Sequence, residues 1–267
     1  MSSSREPQSL TFDAHGQSVA YLKEGSGPAL VIVHGLGGHK EDFKAVIQIL
    51  SSHYTVYAFD MLGFGASSRT APSVGPGAQA DVIQALLDHE HLRKASVMGN
   101  SAGAWAAATF AAKYPGSINK LILSDAAGLK ATLSGPPPVN FAPDTVADMQ
   151  KLLQTVIASD FAHSTEFAAQ ALAQFKASGE AASLGKLFGD FSKPDNKDKV
   201  LDDVLPDVKA PTLVVWGAQD ALFPPALADV VVGGVKGSHK ELIPNSSHFP
   251  QIDNPKGLSA AVAKFLG

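Results

Sequence analysis

Short runs of apolar, largely β-branched residues recur along the chain, and stretches with helical character lie between them. These runs are continuous rather than alternating in polarity, which is typical of strands buried on both faces of a sheet. Residues 9–12 and 18–23 predict an antiparallel pair of edge strands joined by a turn at His15 and Gly16, and residues 240–243 predict a last strand. The continuous runs are residues 29–33, 55–59, 95–98, 121–123 and 212–216.

The segments between these runs favour helices, and one more helix is predicted at the end of the chain. Asn254 is a good N-cap, and Pro255 suits the first turn of that last helix. Trp105 is interpreted as a residue that packs a helix against the sheet. Strands that alternate with helices predict an α/β fold, a mostly parallel eight-stranded sheet with helices on both faces. The predicted helices are residues 41–50, 81–89, 104–114 and 255–266.

One long segment interrupts this alternation, because no strand pattern occurs between residues 123 and 212. It contains three apolar stripes at helical spacing. We therefore expect a helical cap, residues 131–205, inserted between the sixth and seventh strands of a core formed by residues 1–130 and 206–267. The alternative is three helices within the core layer. The stripes are Val146, Met149, Leu153 and Val156; Phe167, Ala171, Leu172 and Phe175; and Leu184, Leu187 and Phe188.

The sequence Gly99-Asn100-Ser101-Ala102-Gly103 lies between a predicted strand and a predicted helix. A strand, then G-x-S-x-G, then a helix is the layout of a nucleophile elbow, which exposes a serine hydroxyl above the sheet. The two glycines lie where strand and helix come too close for a Cβ. Ser101 is therefore the candidate nucleophile.

A serine hydroxyl needs a general base, and the base needs a group that orients it. Asp220 comes just after the run at residues 212–216, and His248 lies in the loop after the last predicted strand. The carboxyl ends of parallel strands meet at one edge of a sheet, where such folds place their sites. Ser101, Asp220 and His248 therefore form a candidate catalytic set. Asp125, which also follows a strand, is the alternative acid.

Four more segments accompany the serine motif in a recognisable order: His34-Gly35-Leu36-Gly37-Gly38, residues 60–67, residues 216–220 and His248-Phe249-Pro250. With them the chain resembles the α/β-hydrolase superfamily from about residue 18 to residue 266. The resemblance implies that the backbone N–H groups of Leu36 and Ala102 form an oxyanion hole, and that residues 60–67 form a structural turn. Ser247 departs from the family pattern, in which glycine often precedes the histidine.

Composition limits the classes of function. The net charge is −4, which gives no electrostatic footprint for nucleic acid or anionic membranes. The chain has no cysteine, which excludes disulfides and thiolate catalysis. No long apolar run and no signal-peptide pattern occur, so we expect a cytoplasmic protein, a monomer or homodimer, with a small-molecule substrate. No metal or cofactor is expected, because no metal-ligand spacing or dinucleotide fingerprint is found.

The resemblance implies a serine hydrolase that acts through an acyl-enzyme. The apolar stripes of the predicted cap favour a small, largely apolar carboxylic ester or lactone as its substrate. The elbow is also similar to that of carbon–carbon hydrolases acting on ring-fission diketones. Against that alternative, Phe249 stands where those enzymes are expected to have tryptophan, and residues 131–210 contain no arginine. A cofactor-free perhydrolase or haloperoxidase is a further alternative. A pure binding role is the alternative outside enzymes.

Overall fold

One sheet of eight strands forms the centre of the computed structural model, which describes residues 6–135, 138–191 and 198–267. Its strands are β1 (Gln8–Ala14), β2 (Gln17–Glu24), β3 (Ala29–Val33), β4 (Thr55–Phe59), β5 (Ala95–Asn100), β6 (Ile118–Ser124), β7 (Thr212–Gly217) and β8 (His239–Ile243). Their spatial order is β1-β2-β4-β3-β5-β6-β7-β8. The pairs β1–β2 and β2–β4 are antiparallel and the others are parallel, so the predicted fold class is confirmed.

The described residues also contain eleven α-helices, none of which is long and apolar enough to cross a membrane. The second of them begins at Pro76, earlier than predicted, because proline suits a first helical turn. The helices are α1 (Lys44–Leu50), α2 (Pro76–His89), α3 (Ala102–Lys113), α4 (Lys130–Leu133), α5 (Val146–Val156), α6 (Thr165–Ser178), α7 (Glu180–Phe191), α8 (Leu201–Val204), α9 (Leu227–Gly234), α10 (Pro250–Asp253) and α11 (Pro255–Leu266).

Helices cover the sheet on both faces, as the continuous apolar strands predict. Leu30 and Ile32 of β3 point into a cluster formed with α1 and α11. Val31 and Val33 point the other way, into the larger cluster formed with α2 and α3. Successive side chains of a strand alternate between faces, so a strand buried on both sides must be apolar throughout.

The order of the strands opens a crevice beside β3 and β5. These two strands are neighbours, but the chain continues from β3 to β4 on one side and from β5 to β6 on the other. In open α/β sheets, ligands bind outside the carboxyl ends of the strands at such a switch point. The loop at residues 34–38 and Ser101 both follow these strands, so the topology brings them together.

The helices α4 to α8 lie between β6 and β7, and we call this stretch the cap segment. The first two predicted stripes pack on each other: Met149 of α5 forms a small cluster with Ala168 and Leu172 of α6. The third stripe differs, because Leu184 and Leu187 of α7 belong to the main core cluster. The cap segment is thus anchored to the core through α7. The division into two domains at residues 130 and 206 stays a prediction.

A buried ion pair holds the turn at residues 60–67 in place. Asp60 is fully buried, and its carboxylate accepts hydrogen bonds from Lys40 Nζ at 2.7 Å and from the N–H of Ala66 at 2.9 Å. Burial alone would raise the pKa of Asp60, but His34, Lys40 and the N–H donors lower it overall. A Cβ on Gly65 would lie 2.3 Å from this carboxylate, which explains the glycine.

Candidate active site

Ser101 lies at the tip of the sharp turn between β5 and α3, with φ of 55° and ψ of −119°. A positive φ is uncommon for a residue with a Cβ, so the surroundings must hold this strained backbone. The Ser101 N–H donates to the carbonyl oxygen of Ser124 at 2.9 Å. A Cβ on Gly103 would lie 2.3 Å from the Val33 oxygen, and one on Gly99 would lie 2.1 Å from the Gly103 oxygen. Only glycine fits beside this serine.

The imidazole of His248 is held by the carboxylate of Asp220. Their atoms Nδ1 and Oδ2 are 2.8 Å apart, and both residues are buried. The other oxygen of Asp220 accepts from the backbone N–H groups of Leu222 and Phe223, both at 2.9 Å. A carboxylate oxygen accepts hydrogen bonds, so this contact requires the proton of His248 to sit on Nδ1. The lone pair is then on Nε2.

The Nε2 atom of His248 is buried and has no hydrogen-bond partner among the described residues. Phe223 lies edge-on to the imidazole with ring centroids 5.0 Å apart, and Phe249 packs at 5.4 Å. Ser101 and His248 line the same cavity, although no hydrogen bond joins them. Catalytic hydrogen bonds often shorten only when substrate binds, so this arrangement leaves Nε2 available to accept a proton.

Asn100 connects the serine turn to the histidine loop, a contact that sequence analysis did not identify. Its side-chain NH₂ donates to the carbonyl oxygen of His248 at 3.0 Å, and Gln251 Nε2 donates to Asn100 Oδ1 at 3.2 Å. Both side chains are buried. The available signal is an amide side chain at the buried end of a strand, where it must find a partner.

The predicted oxyanion-hole residues lie beside the serine. A Cβ on Gly35 would come within 2.7 Å of Ser101 Cβ, so the loop after β3 packs directly on the serine. Leu36, the next residue of that loop, lines the cavity together with Ser101 and Ala102. Ala102 is the first residue of α3, where N–H groups lack a helical acceptor. The role of the two N–H groups stays a prediction.

His34 is the first residue of this loop, and hydrogen bonds hold both nitrogens of its ring. It is buried, its Nε2 accepts from the N–H of Met61 at 2.9 Å, and its Nδ1 lies 2.8 Å from the carbonyl oxygen of Gly35. Burial lowers its pKa to about 4. A neutral ring that accepts on one nitrogen and donates on the other satisfies both contacts, so His34 is positioned to shape the loop.

A cavity of about 940 Å³ opens above Ser101 and His248. Trp105 belongs to the main core cluster, in agreement with its interpretation as a packing residue, and it also lines this cavity from the first turn of α3. No lysine or arginine is among its described lining residues. Apolar side chains from the cap segment form much of the wall, including Leu152, Leu153, Val156, Phe167, Phe175 and Leu187.

The family model for the alpha/beta hydrolase fold matches residues 28–255 of the chain. This span extends from just before β3 to the start of α11 and includes all three residues of the candidate set. The chain belongs to the alpha/beta hydrolase fold family. The resemblance predicted from the sequence motifs is thereby confirmed.

Several relatives of this hydrolase have named activities. It is 27% identical to Lipase 1 of Psychrobacter immobilis, over 93% of this chain and 80% of that protein. It is also 27% identical to 2-hydroxy-6-oxo-6-(2'-aminophenyl)hexa-2,4-dienoic acid hydrolase of Metapseudomonas resinovorans, over 95% and 89%. The crystal structure of a membrane phospholipase A, described as a bacterial virulence factor, superposes with a TM-score of 0.82 at 25% identity, covering 98% of this chain and 86% of that one.

The hydrolase has two buried carboxyl groups near His248, and the hydrogen bonding distinguishes them. His248 Nδ1 contacts Asp220, whereas the oxygens of Asp125 accept from the N–H of Gly217 and the hydroxyl of Ser124, each at 2.7 Å. Atoms of Asp125, Asp220 and His248 lie within 4.8 Å of one another, the one set in the described residues that could hold a metal ion. Their hydrogen bonds to one another and to the backbone fit a proton-transfer site.

A contact between the cap segment and the loop after β3 borders the cavity of this hydrolase. Glu180, at the start of α7, accepts from the N–H of Gly65 and lies 2.9 Å from His39 Nε2. The hydrogen bond to Glu180 raises the pKa of His39. Burial alone would raise the pKa of Glu180, but His39 and the N–H group lower it overall. Neither His39 nor Glu180 was assigned a role from the sequence.

This pair is expected to stabilise the hydrolase most between about pH 4.5 and pH 6.5, the usual pKa values of its two groups. The contribution of His39 is complete below its unfolded pKa and is lost as the pH rises through its raised folded pKa. That of Glu180 is complete above its unfolded pKa and is lost as the pH falls through its lowered folded pKa. Thermal unfolding of wild type and His39→Gln should therefore differ more at about pH 5.5 than at about pH 9.

The control for this measurement is His53→Gln, which changes an exposed histidine. This variant should have the same melting temperature as wild type at both pH values. If the melting temperatures of wild type and His39→Gln differ by the same amount at every pH, or differ more toward alkaline pH, the stabilising role of the His39–Glu180 pair is contradicted.

Proposed function

We propose that this hydrolase cleaves carboxylic esters with an apolar acyl chain, using Ser101 as nucleophile, His248 as general base and Asp220 as the acid that orients the base. The observation that carries the proposal is the state of His248. Its Nδ1 is bound to a buried carboxylate, and its buried Nε2 has no partner among the described residues, in the cavity that Ser101 also lines. A ring held in this tautomer is suited to remove the serine proton.

The reaction follows from these positions. Ser101 Oγ attacks the ester carbonyl carbon while its proton passes to His248 Nε2, and Asp220 stabilises the imidazolium that forms. The carbonyl oxygen becomes an oxyanion bound by the N–H groups of Leu36 and Ala102, each worth about 3–4 kcal/mol of barrier lowering. The imidazolium then protonates the departing alcohol, which leaves an acyl-enzyme. His248 next activates water, the carboxylic acid is released, and Ser101 regains its proton.

The cavity supports an acyl chain longer than the small substrate expected from the sequence. Its volume of about 940 Å³ is near the upper end of the ~300–1,000 Å³ range of small-molecule sites. The described wall is largely apolar and has no lysine or arginine. Its one raised-pKa histidine, His39, is already paired with Glu180, so the wall offers little to anchor an anionic substrate. The lipase relative and the phospholipase structure, by their printed names, act on lipids and are consistent with this choice.

Turnover of p-nitrophenyl octanoate should exceed that of p-nitrophenyl acetate by at least about tenfold in kcat/KM, because each buried methylene adds up to about 0.8 kcal/mol. Leu153→Trp, which fills part of the cavity wall, should lower turnover of the octanoate and leave the acetate nearly unchanged. Leu242→Trp, at an exposed position of β8, is the matched control and should change neither. Faster turnover of acetate than of octanoate would contradict a long acyl substrate.

The second candidate is a carbon–carbon bond hydrolase, which the dienoic acid hydrolase relative favours. Its substrates would present a carboxylate to a cavity in which the described wall has acidic Asp42 and Glu180 but no lysine or arginine. The chain also has Phe249 after the histidine. A ring-fission diketone belongs in the same substrate panel: turnover of the diketone without turnover of any ester would establish this candidate instead.

A further inference from the structure

A second carboxyl group lies behind the pair formed by Asp220 and His248. Asp125 follows β6, is completely buried and has a φ of 47°, so its position is imposed by the surrounding structure. Atoms of Asp125, Asp220 and His248 all lie within 4.8 Å of one another. Two carboxylates this close in a buried site repel each other strongly, so only one of them carries a charge.

The hydrogen bonds place that charge on Asp220. Its carboxylate receives three N–H donors: two backbone groups at one oxygen and His248 Nδ1 at the other. Asp125 receives one backbone N–H, that of Gly217, and the hydroxyl of Ser124. A backbone N–H cannot turn away, whereas a serine hydroxyl rotates and can also accept a proton. Asp125 is therefore the carboxyl group that the site can best accommodate as a neutral acid.

The electrostatics agree with this geometry. Burial raises the pKa of Asp125 well above its usual value, and repulsion from Asp220 and a hydrogen bond to it raise the pKa further. The titratable groups that face Asp125 come from the loops after β7 and β8, and they are Asp220 and His248. Neither supplies a stabilising positive charge while His248 is neutral. A neutral Asp125 is then a donor aimed at Asp220.

We propose that Asp125 is a neutral positioning residue whose carboxyl proton is shared with Asp220, so that it fixes the Asp220 carboxylate in the orientation required by His248. The inference rests on the proposed triad. Asp125 is absent from the described lining of the cavity, so it acts through Asp220 rather than on the substrate.

The test compares Asp125→Asn with Asp125→Leu. The asparagine keeps a donor for Asp220 and an acceptor for the N–H of Gly217, so kcat should stay within about threefold of wild type. The leucine removes the donor, and the expected loss of kcat is about ten- to hundredfold with little change in KM, the scale on which outer hydrogen-bond partners act in metal sites.

The pH profile of kcat/KM distinguishes this role from a purely structural one. Without the donor from Asp125, more of the Asp220 charge acts on the imidazolium form of His248, so the acidic limb of Asp125→Leu should move to higher pH. Asp125→Asn should leave the limb in place. If Asp125 is instead ionised in the wild type, Asp125→Asn removes a negative charge. The midpoint of the acidic limb then moves down by about one pH unit, which overturns the proposal.

Two further outcomes separate the possible failures. A loss of kcat in Asp125→Leu with an unmoved acidic limb means a structural role and also overturns the proposal. If Asp125→Leu does not fold, Asp125→Asn still tests the proposal, because its kcat and its acidic limb are both expected to match those of wild type. Ser101→Ala is measured in the same experiment. Full activity of Ser101→Ala refutes the triad itself. An inactive Ser101→Ala together with a shifted acidic limb in Asp125→Asn refutes only the role of Asp125.

Discussion

Ser101→Ala is expected to lower kcat/KM for p-nitrophenyl octanoate by at least about 10⁴-fold, because the nucleophile, base and acid act as one unit and losing the nucleophile removes nearly all their effect. The remaining rate would come from the oxyanion hole and from binding alone. KM should change little, since the substitution removes only a hydroxyl from a cavity of about 940 Å³. The measurement is steady-state hydrolysis at the pH optimum.

The matched control is Ser96→Ala, which changes a buried serine on β5, the strand that leads to Ser101, and does not touch the described lining of the cavity. It should keep full activity. Both variants should unfold at nearly the same temperature as wild type, so that a loss of activity in Ser101→Ala cannot be attributed to unfolding. A residual rate in Ser101→Ala above about one-tenth of wild type would exclude Ser101 as the nucleophile.

Gly103→Ala is expected to reduce the free energy of unfolding by at least about 3 kcal/mol, the upper end of the usual cost of overpacking a core. The added Cβ would lie 2.3 Å from the Val33 oxygen and 2.4 Å from the His34 oxygen. Both are backbone atoms, so no side-chain rotation relieves the overlap, and α3 would have to move away from β3. Urea denaturation measures the change, and activity should fall with it because Ser101 moves relative to the loop after β3.

Gly116→Ala is the control for this substitution. No described atom lies within 4 Å of the Cβ that it would add, and the residue is exposed in the turn after α3. Its free energy of unfolding should stay within about 0.5 kcal/mol of wild type. Equal effects of the two substitutions would show that the close packing of the serine turn on β3 does not limit stability.

The local patterns of the sequence were sufficient to predict the eight strands and the last helix. Residues of β3 are apolar at every position because both faces are covered, and that pattern needs no knowledge of what covers them. Asn254 behaves as expected, since its side chain accepts from the N–H of Gly257 at the start of α11. The strand, turn and helix around Ser101 were predictable because glycine is required on both sides.

Contacts between distant parts of the chain were not predictable in this way. His39 meets Glu180 across 141 positions, and Asn100 meets the carbonyl of His248 across 148. The local sequence does not identify the partner of such a side chain. The position of Asn100 at the end of a buried strand indicates only that a partner is needed, and His39 has no local feature that predicts its burial. From the sequence, Asp220 was the preferred acid and Asp125 the alternative, because both follow strands. The hydrogen bonds show that Asp220 is the one that contacts His248.

The most direct test of the mechanism is to identify the side chain that becomes acylated. Wild-type protein is mixed with p-nitrophenyl octanoate, quenched with acid before steady state, digested and analysed by peptide mass spectrometry. An octanoyl group on the peptide that carries Ser101, absent from Ser101→Ala, is the predicted result. An octanoyl group on any other side chain, or rapid turnover by Ser101→Ala, would contradict the proposed catalytic role of Ser101.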